Sequence, residues 1–162
     1  MLALPSGRRT VVKDIVCLQS SLPVAGDSVT LTLADDIDIS RGDLLAEPTL
    51  PPRVAKSIEA RLCWLSAQPL DARALPAAHF VLKHTTRGVK AKLVSLNSRV
   101  DVDTLERHAK PTGLAMNDIA HVALALAQPL FVDSYELNRA TGSFILIDET
   151  SNQTVAAGMI DG

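Results

Sequence analysis

Aromatic side chains are nearly missing from this 162-residue sequence, which has three Phe, one Tyr and one Trp. Its core must therefore be built from Val, Leu, Ile and Ala, a set that suits the narrow interior of a small β-barrel. Cysteine is as scarce. Cys17 and Cys63 stand apart in aliphatic surroundings with no C-x-x-C pair, so a disulfide framework and a zinc knuckle are both excluded. The two read as buried free thiols of a reducing cytoplasm. Charge of one sign is not in excess either, since 16 Lys and Arg face 18 Asp and Glu for a net −2. A surface made to hold nucleic acid would be strongly basic, so the balance argues against that use. The longest apolar stretch, around Val122–Ala127, falls far short of the roughly 20 residues of a membrane span. Met1–Pro5 runs straight into a Pro5-Ser6-Gly7 turn rather than a signal peptide. The expectation is a soluble, cytoplasmic protein with no membrane and no nucleic-acid partner. The abrupt opening suggests a piece that lacks its upstream element.

What is present describes a folded chain, 47% hydrophobic and 21% charged, long enough for one ordinary domain or two small ones. Strand signals dominate. Arg9–Leu18 and Ser28–Leu33 are rich in β-branched residues, and Val29, Leu31 and Leu33 alternate with Thr30 and Thr32. Arg41-Gly42-Asp43 predicts a tight turn before a short closing strand that ends at Leu45. Pro48, Pro51 and Pro52 cannot occupy a ladder interior and favour a stiff connector, so a domain boundary is placed there. Beyond it, Val54–Leu65 puts Ile58, Ala60, Leu62 and Trp64 on one face, although its Glu, Arg, Leu and Ala also suit a helix. His79–Thr85, Gly88–Leu96, Phe144–Ile147 and Thr154–Ile160 read as strands, and Arg99–Asp103 as a short one. Thr104–Gly113 reads as a polar connection, and Ile119–Leu126 as strand or helix, ended by Pro129. Many short strands with Pro and Gly between them imply an all-β sandwich or barrel, and closure would remove exposed edges.

Catalytic signatures are wanting. No Gly-Lys pair exists for a phosphate-binding loop, and neither G-x-G-x-x-G nor G-x-S-x-G occurs. His79, His84, His108 and His121 form no H-x-x-x-H or H-x-H pattern, so no metal site is assigned. Asp35, Asp36, Asp38 and Asp43 lack calcium-loop spacing, and the interleaved Ile37 and Ile39 make them a solvated barrel rim. Two sets of residues are candidates for contact with a partner. Strand alternation puts Lys90 and Lys92 together on an outward face, fit for an acidic partner or for plain solvation. In Asn138-Arg139-Ala140-Thr141-Gly142, the glycine allows a positive φ or a close backbone approach. Asn138 and Thr141 can satisfy turn amides, and Arg139 can clamp a carboxylate or carbonyl. The segment is either a structural lock or a docking contact.

Three segments resemble the large GTP-binding subunit of bacterial sulfate adenylyltransferase, the CysN/NodQ family. They are Leu4–Lys13 with Val29–Leu45, Arg99–Glu106 continuing to Met116-Asn117-Asp118-Ile119, and Glu136–Asp148 with Asn152–Ile160. Asp103 and Asp118 depart from the Asn and Glu expected in those motifs, and Arg107-His108 from the usual Glu-His pair. The resemblance implies an elongation-factor-Tu-like protein, a GTPase domain followed by two antiparallel β-barrels. Residues 1–48 would be the later part of the first barrel, only partly present, and 53–160 the second. It also implies a partner, the small catalytic subunit CysD, which makes adenylyl sulfate from ATP and sulfate. GTP and Mg²⁺ would belong to the GTPase domain, so no catalytic, cofactor or metal residue is assigned to this chain. The contact candidates would then serve that domain or CysD. The alternative is an RNA-binding barrel pair of a translation factor, which the acidic net charge disfavours.

Overall fold

A computed structural model describes residues 1–18, 22–102 and 104–162, with strands as the main element. The chain divides into two compact units, Met1–Pro52 and Arg53–Gly162.

The first unit holds β1 (Leu2–Leu4), β2 (Arg8–Arg9), β3 (Val12–Cys17), β4 (Val29–Leu33) and β5 (Leu44–Ala46). β1 pairs antiparallel with both β2 and β5, and β3 pairs antiparallel with β4. The strand expected over Arg9–Leu18 is broken at Thr10 and Val11. Thr10 is buried, its hydroxyl donates to Asp35 Oδ2 at 2.8 Å, and the Asp35 amide bonds back to that hydroxyl. A buried hydroxyl must find a partner, and Asp35 supplies it at this break. One aspartate of the acidic rim is thereby a structural acceptor. Another, Asp43, accepts from the Ser40 amide in the predicted turn, where Gly42 has φ +102°.

The second unit contains β6 (Arg53–Trp64), β7 (Leu70–Asp71), a 3₁₀ turn at Ala72–Ala77, β8 (Phe80–His84), β9 (Arg87–Val100), β10 (Arg107–Ala109), β11 (Gly113–Leu114), β12 (Ile119–Val132), β13 (Ser143–Asp148) and β14 (Thr154–Ile160). Antiparallel pairing runs β9–β12–β6–β14–β13–β8, and β8 pairs with β9 again, so six strands close into a barrel. The helix alternative for Val54–Leu65 and Ile119–Leu126 is excluded: both are strands, and they pair with each other. Alternation decides which side chains enter. Ile58, Ala60, Leu62 and Trp64 of β6 are buried, as are Ala120, Val122 and Leu124 of β12 and Phe144 and Leu146 of β13. Each large aliphatic side chain so buried contributes about 1.5–3 kcal/mol. Trp64 fits among them because its Nε1 donates to the Gln68 carbonyl at 2.9 Å.

Pro129 does not end its strand. The β12–β6 register shifts between Ala125 and Leu130, and this bulge accommodates the proline's missing donor. Arg99–Val100 extend β9 rather than forming their own strand, and Asp103 lies outside the described residues. The connection read over Thr104–Gly113 contains β10, paired with the end of β9. Neither cysteine is fully buried. Cys17 ends an open two-stranded ribbon, and Cys63 falls on the outward phase of β6 between buried Leu62 and Trp64. Among the described residues, no helix is long and apolar enough to cross a membrane.

Candidate functional site

Between β12 and β13 the chain folds back through residues 133–142, where three of the candidate contact residues lie. The Asn138 carbonyl accepts from the Gly142 amide at 2.7 Å, and its side-chain Oδ1 accepts from the Ala140 amide, the turn role expected of it. Thr141 acts differently. Its hydroxyl donates to Asp133 Oδ2 rather than meeting a turn amide, and its carbonyl accepts from the Asp133 amide. That carbonyl also lies 2.7 Å from Nε2 of His84, a buried histidine on β8 that ties the loop to the barrel wall. Arg139 clamps no carboxylate among the described residues: its guanidinium sits 5.8 Å from the centre of the Tyr135 ring, at cation–π distance. Gly142 is required for close approach, since a Cβ there would fall 2.4 Å from the Tyr135 Cα. Its φ is not among the positive ones.

The loop borders an apolar groove on the outer barrel wall, with a volume of about 560 Å³. Strand register shows how the groove is built. Ile119 lies opposite Cys63, Cys63 opposite Ala157, Ala157 opposite Ile145, and Ile145 opposite Lys83, one cross-strand row over β12, β6, β14, β13 and β8. Next to it runs a second row, His121, Arg61, Met159 and Ser143. All of these point outward because strand side chains alternate, and the first row is apolar until Lys83. Behind it the wall is thin. Gly158 carries the Phe144 ring on its inner side, where a Cβ would come within 2.2 Å of the ring. Tyr135 and Ala140 of the loop close one margin.

Charges in the second row are neutralised. Arg61 Nε lies 3.3 Å from Asp161 Oδ1 and its Nη2 lies 3.8 Å from Glu136 Oε1. His121 Nε2 is 2.7 Å from Asp161 Oδ2, a buried oxygen, in a contact that is not an aligned hydrogen bond.

Lys90 and Lys92 lie elsewhere. In the six-strand ring β9 stands opposite β14, so the lysines are on the far wall from the groove centre. Both are exposed on one outward face, as alternation predicted. Lys90 Nζ is 3.2 Å from Glu149 Oε1, and the two lysines edge a smaller hollow of about 410 Å³ with His79 and Leu126. Asp148, beside Glu149, is held below its ordinary pKa by hydrogen bonds from the Ser151 amide and hydroxyl and from the Thr150 amide. The departing Asp118 also has a structural task, accepting from the Ala115 amide at 2.7 Å and facing Arg99 at 3.4 Å. No cluster of three or more His, Cys, Asp or Glu able to hold a metal occurs among the described residues.

The structure therefore places Asn138, Arg139 and Thr141 on the loop whose Tyr135 and Ala140 line the groove, and leaves Lys90 and Lys92 apart from it. Sequence reasoning missed the row Ile119–Cys63–Ala157–Ile145–Lys83. A signal was present: Phe144–Ile147 and Val155–Ile160 are apolar at successive positions, the mark of strands whose two faces are both covered.

A closed six-strand antiparallel barrel following a second β-unit defines the class. Residues 57–161 match the GTP-eEF1A C-terminal domain-like family, and the chain belongs to it. Its relatives are named sulfate adenylyltransferase subunit 1, among them the Bacteroides fragilis protein, 42% identical over 99% of this chain and 33% of that protein. A bifunctional enzyme CysN/CysC of Mycobacterium tuberculosis is 45% identical over 133 residues, 82% of this chain and 21% of that one. The chain spans about a third or less of the length of these relatives. The fold is that of translation-factor domains: the crystal structure of sup35 complexed with GDP superimposes with a TM-score of 0.81 at 19% identity, over 99% of this chain and 39% of sup35.

Proposed function

We propose that this chain is the non-catalytic barrel part of the GTPase subunit of a sulfate adenylyltransferase, acting in the cytoplasm in sulfate assimilation. Its role is to dock the GTPase domain and the small catalytic subunit, CysD, which forms adenylyl sulfate from ATP and sulfate with GTP hydrolysis coupled to it. One observation carries the reading: 42% identity to a sulfate adenylyltransferase subunit 1 over 99% of the chain. An apolar groove on the outer wall, bordered by a loop held at both ends, supports a docking role (rigid, partly apolar surfaces bind partners at low entropic cost). GTP and its Mg²⁺ would be held by the GTPase domain, and no residue of this chain is assigned to either.

The test is direct. The purified chain, immobilised, is expected to capture purified small catalytic subunit, and calorimetry with GTP and Mg²⁺ is expected to show no heat of binding. Tight GTP binding, or no capture of the small subunit at micromolar concentration, would overturn this division of labour.

A further inference from the structure

We infer that the groove over β6, β14 and β13 receives a short extended protein segment with apolar side chains followed by carboxylates. This inference rests on the docking role proposed above and names the chemistry of what docks. Register gives the apolar part: Ile119, Cys63, Ala157 and Ile145 stand opposite one another in a single row, half-buried or at the border of exposure, with small side chains at its centre. The row crosses five strands, and gaps of about 4.8 Å make it about 19 Å long, the span of about six extended residues. The barrel is closed there, so the segment would be held by side chains and not by added strand pairing.

Charge gives the acidic part. Lys83 ends the row directly across from Ile145, and Arg139 stands on the loop that borders the groove. Both are exposed, and neither has a carboxylate partner among the described residues. Nearby acids are engaged: Asp133 with Thr141, Glu136 and Asp161 with Arg61. Lys90 on the opposite wall already has Glu149. An incoming carboxylate thus finds open cations beside the groove, and rim charges of this kind select the partner more than they tighten it.

Cys63, in the middle of the row, reports occupancy. In a Cys17→Ser background, the rate at which dithiobis-nitrobenzoate modifies Cys63 would be followed with two acetylated hexapeptides. One is Leu-Ala-Ile-Ala-Asp-Glu and the other ends in Asn-Gln instead. The acidic peptide is expected to slow labelling in a saturable way, and the neutral one to need about tenfold higher concentration. Lys83→Glu with Arg139→Glu should abolish the difference, and Lys83→Gln with Arg139→Gln should reduce it. Equal protection by both peptides, protection by neither, or equal protection by an RNA oligonucleotide would each overturn the inference. Failure of the docking role would show separately, as loss of small-subunit capture by the unaltered chain.

Discussion

On the wall made by β6, β14 and β13, the outward positions include the apolar Cys63, Ala157, Met159 and Ile145 beside Arg61 and Ser143, whereas β9, opposite in the ring, turns Lys90 and Lys92 outward. Both walls bury the same kind of residue: Ala60 and Leu62 on one, Val89, Ala91 and Leu93 on the other. Inward packing therefore does not distinguish them. The difference lies in the outward phase, which stability of a closed barrel leaves free, and there one wall has the composition of a surface meant to be covered. The lysine wall is solvated, with Lys90 exposed in its pair with a half-buried Glu149. Surface pairs of that kind contribute about 0–1 kcal/mol and say little about use.

If the groove wall is the specified one, it should tolerate change poorly, and the lysine wall well. The largest effect is expected for Gly142→Ala, because a methyl 2.4 Å from the Tyr135 Cα forces backbone apart. About 3 kcal/mol or more should be lost in urea unfolding at an unchanged m-value, together with loss of small-subunit capture. Gly158→Ala comes next: its Cβ meets the Phe144 ring, which can shift only against a filled core, at about 1–3 kcal/mol. An equal loss from Lys90→Ala would erase the contrast between the walls.

Asp148→Asn, near the lysine wall, should cost about 0.5–1 kcal/mol at pH 7 through its weakened hydrogen bonds to Ser151 and Thr150. The pH dependence has a definite sign. Asp148 has a folded pKa below its ordinary 3.8, so its contribution is present above that value and is lost as pH falls through the folded one. The gap between the unaltered chain and Asp148→Asn should then shrink between pH 5 and pH 3, measured as urea midpoints. Smallest of all is Lys90→Ala, expected within about 0.5 kcal/mol because Lys90 is 77% exposed in its pair with Glu149.

Much of the barrel was legible. Ile58, Ala60, Leu62 and Trp64 alternate as in a half-buried strand, although the composition of their segment also suits a helix, and the pattern of Thr154–Ile160 matches the observed bounds of its strand. Other elements failed for identifiable reasons. Pro129 was read as a terminator because a ladder needs every donor, and the bulge that excuses it depends on β6 lying alongside. β10 was missed in a polar stretch because its pairing is supplied by β9 rather than by its own pattern. The Thr10–Asp35 bond at the break in the first strand joins residues 25 apart, beyond any local signal. The candidate site divided in the same way. Asn138 and Gly142 showed their turn chemistry in sequence, but the target of Arg139 did not show, since it depends on where Tyr135 comes to rest.

By itself, the sequence pointed to aliphatic strands in an all-β sandwich or barrel, with Trp64 as the one large ring on β6, and showed no nucleotide-binding loop motif in this stretch. Period-two alternation and turn chemistry are properties of neighbouring residues, so a linear reading reaches them. Tertiary structure alone decided that Ile119, Cys63, Ala157, Ile145 and Lys83, spread over 95 residues of chain, would stand in one row. Register between strands is set by the closure of the whole ring, and a single-residue slip in any pair would have scattered them.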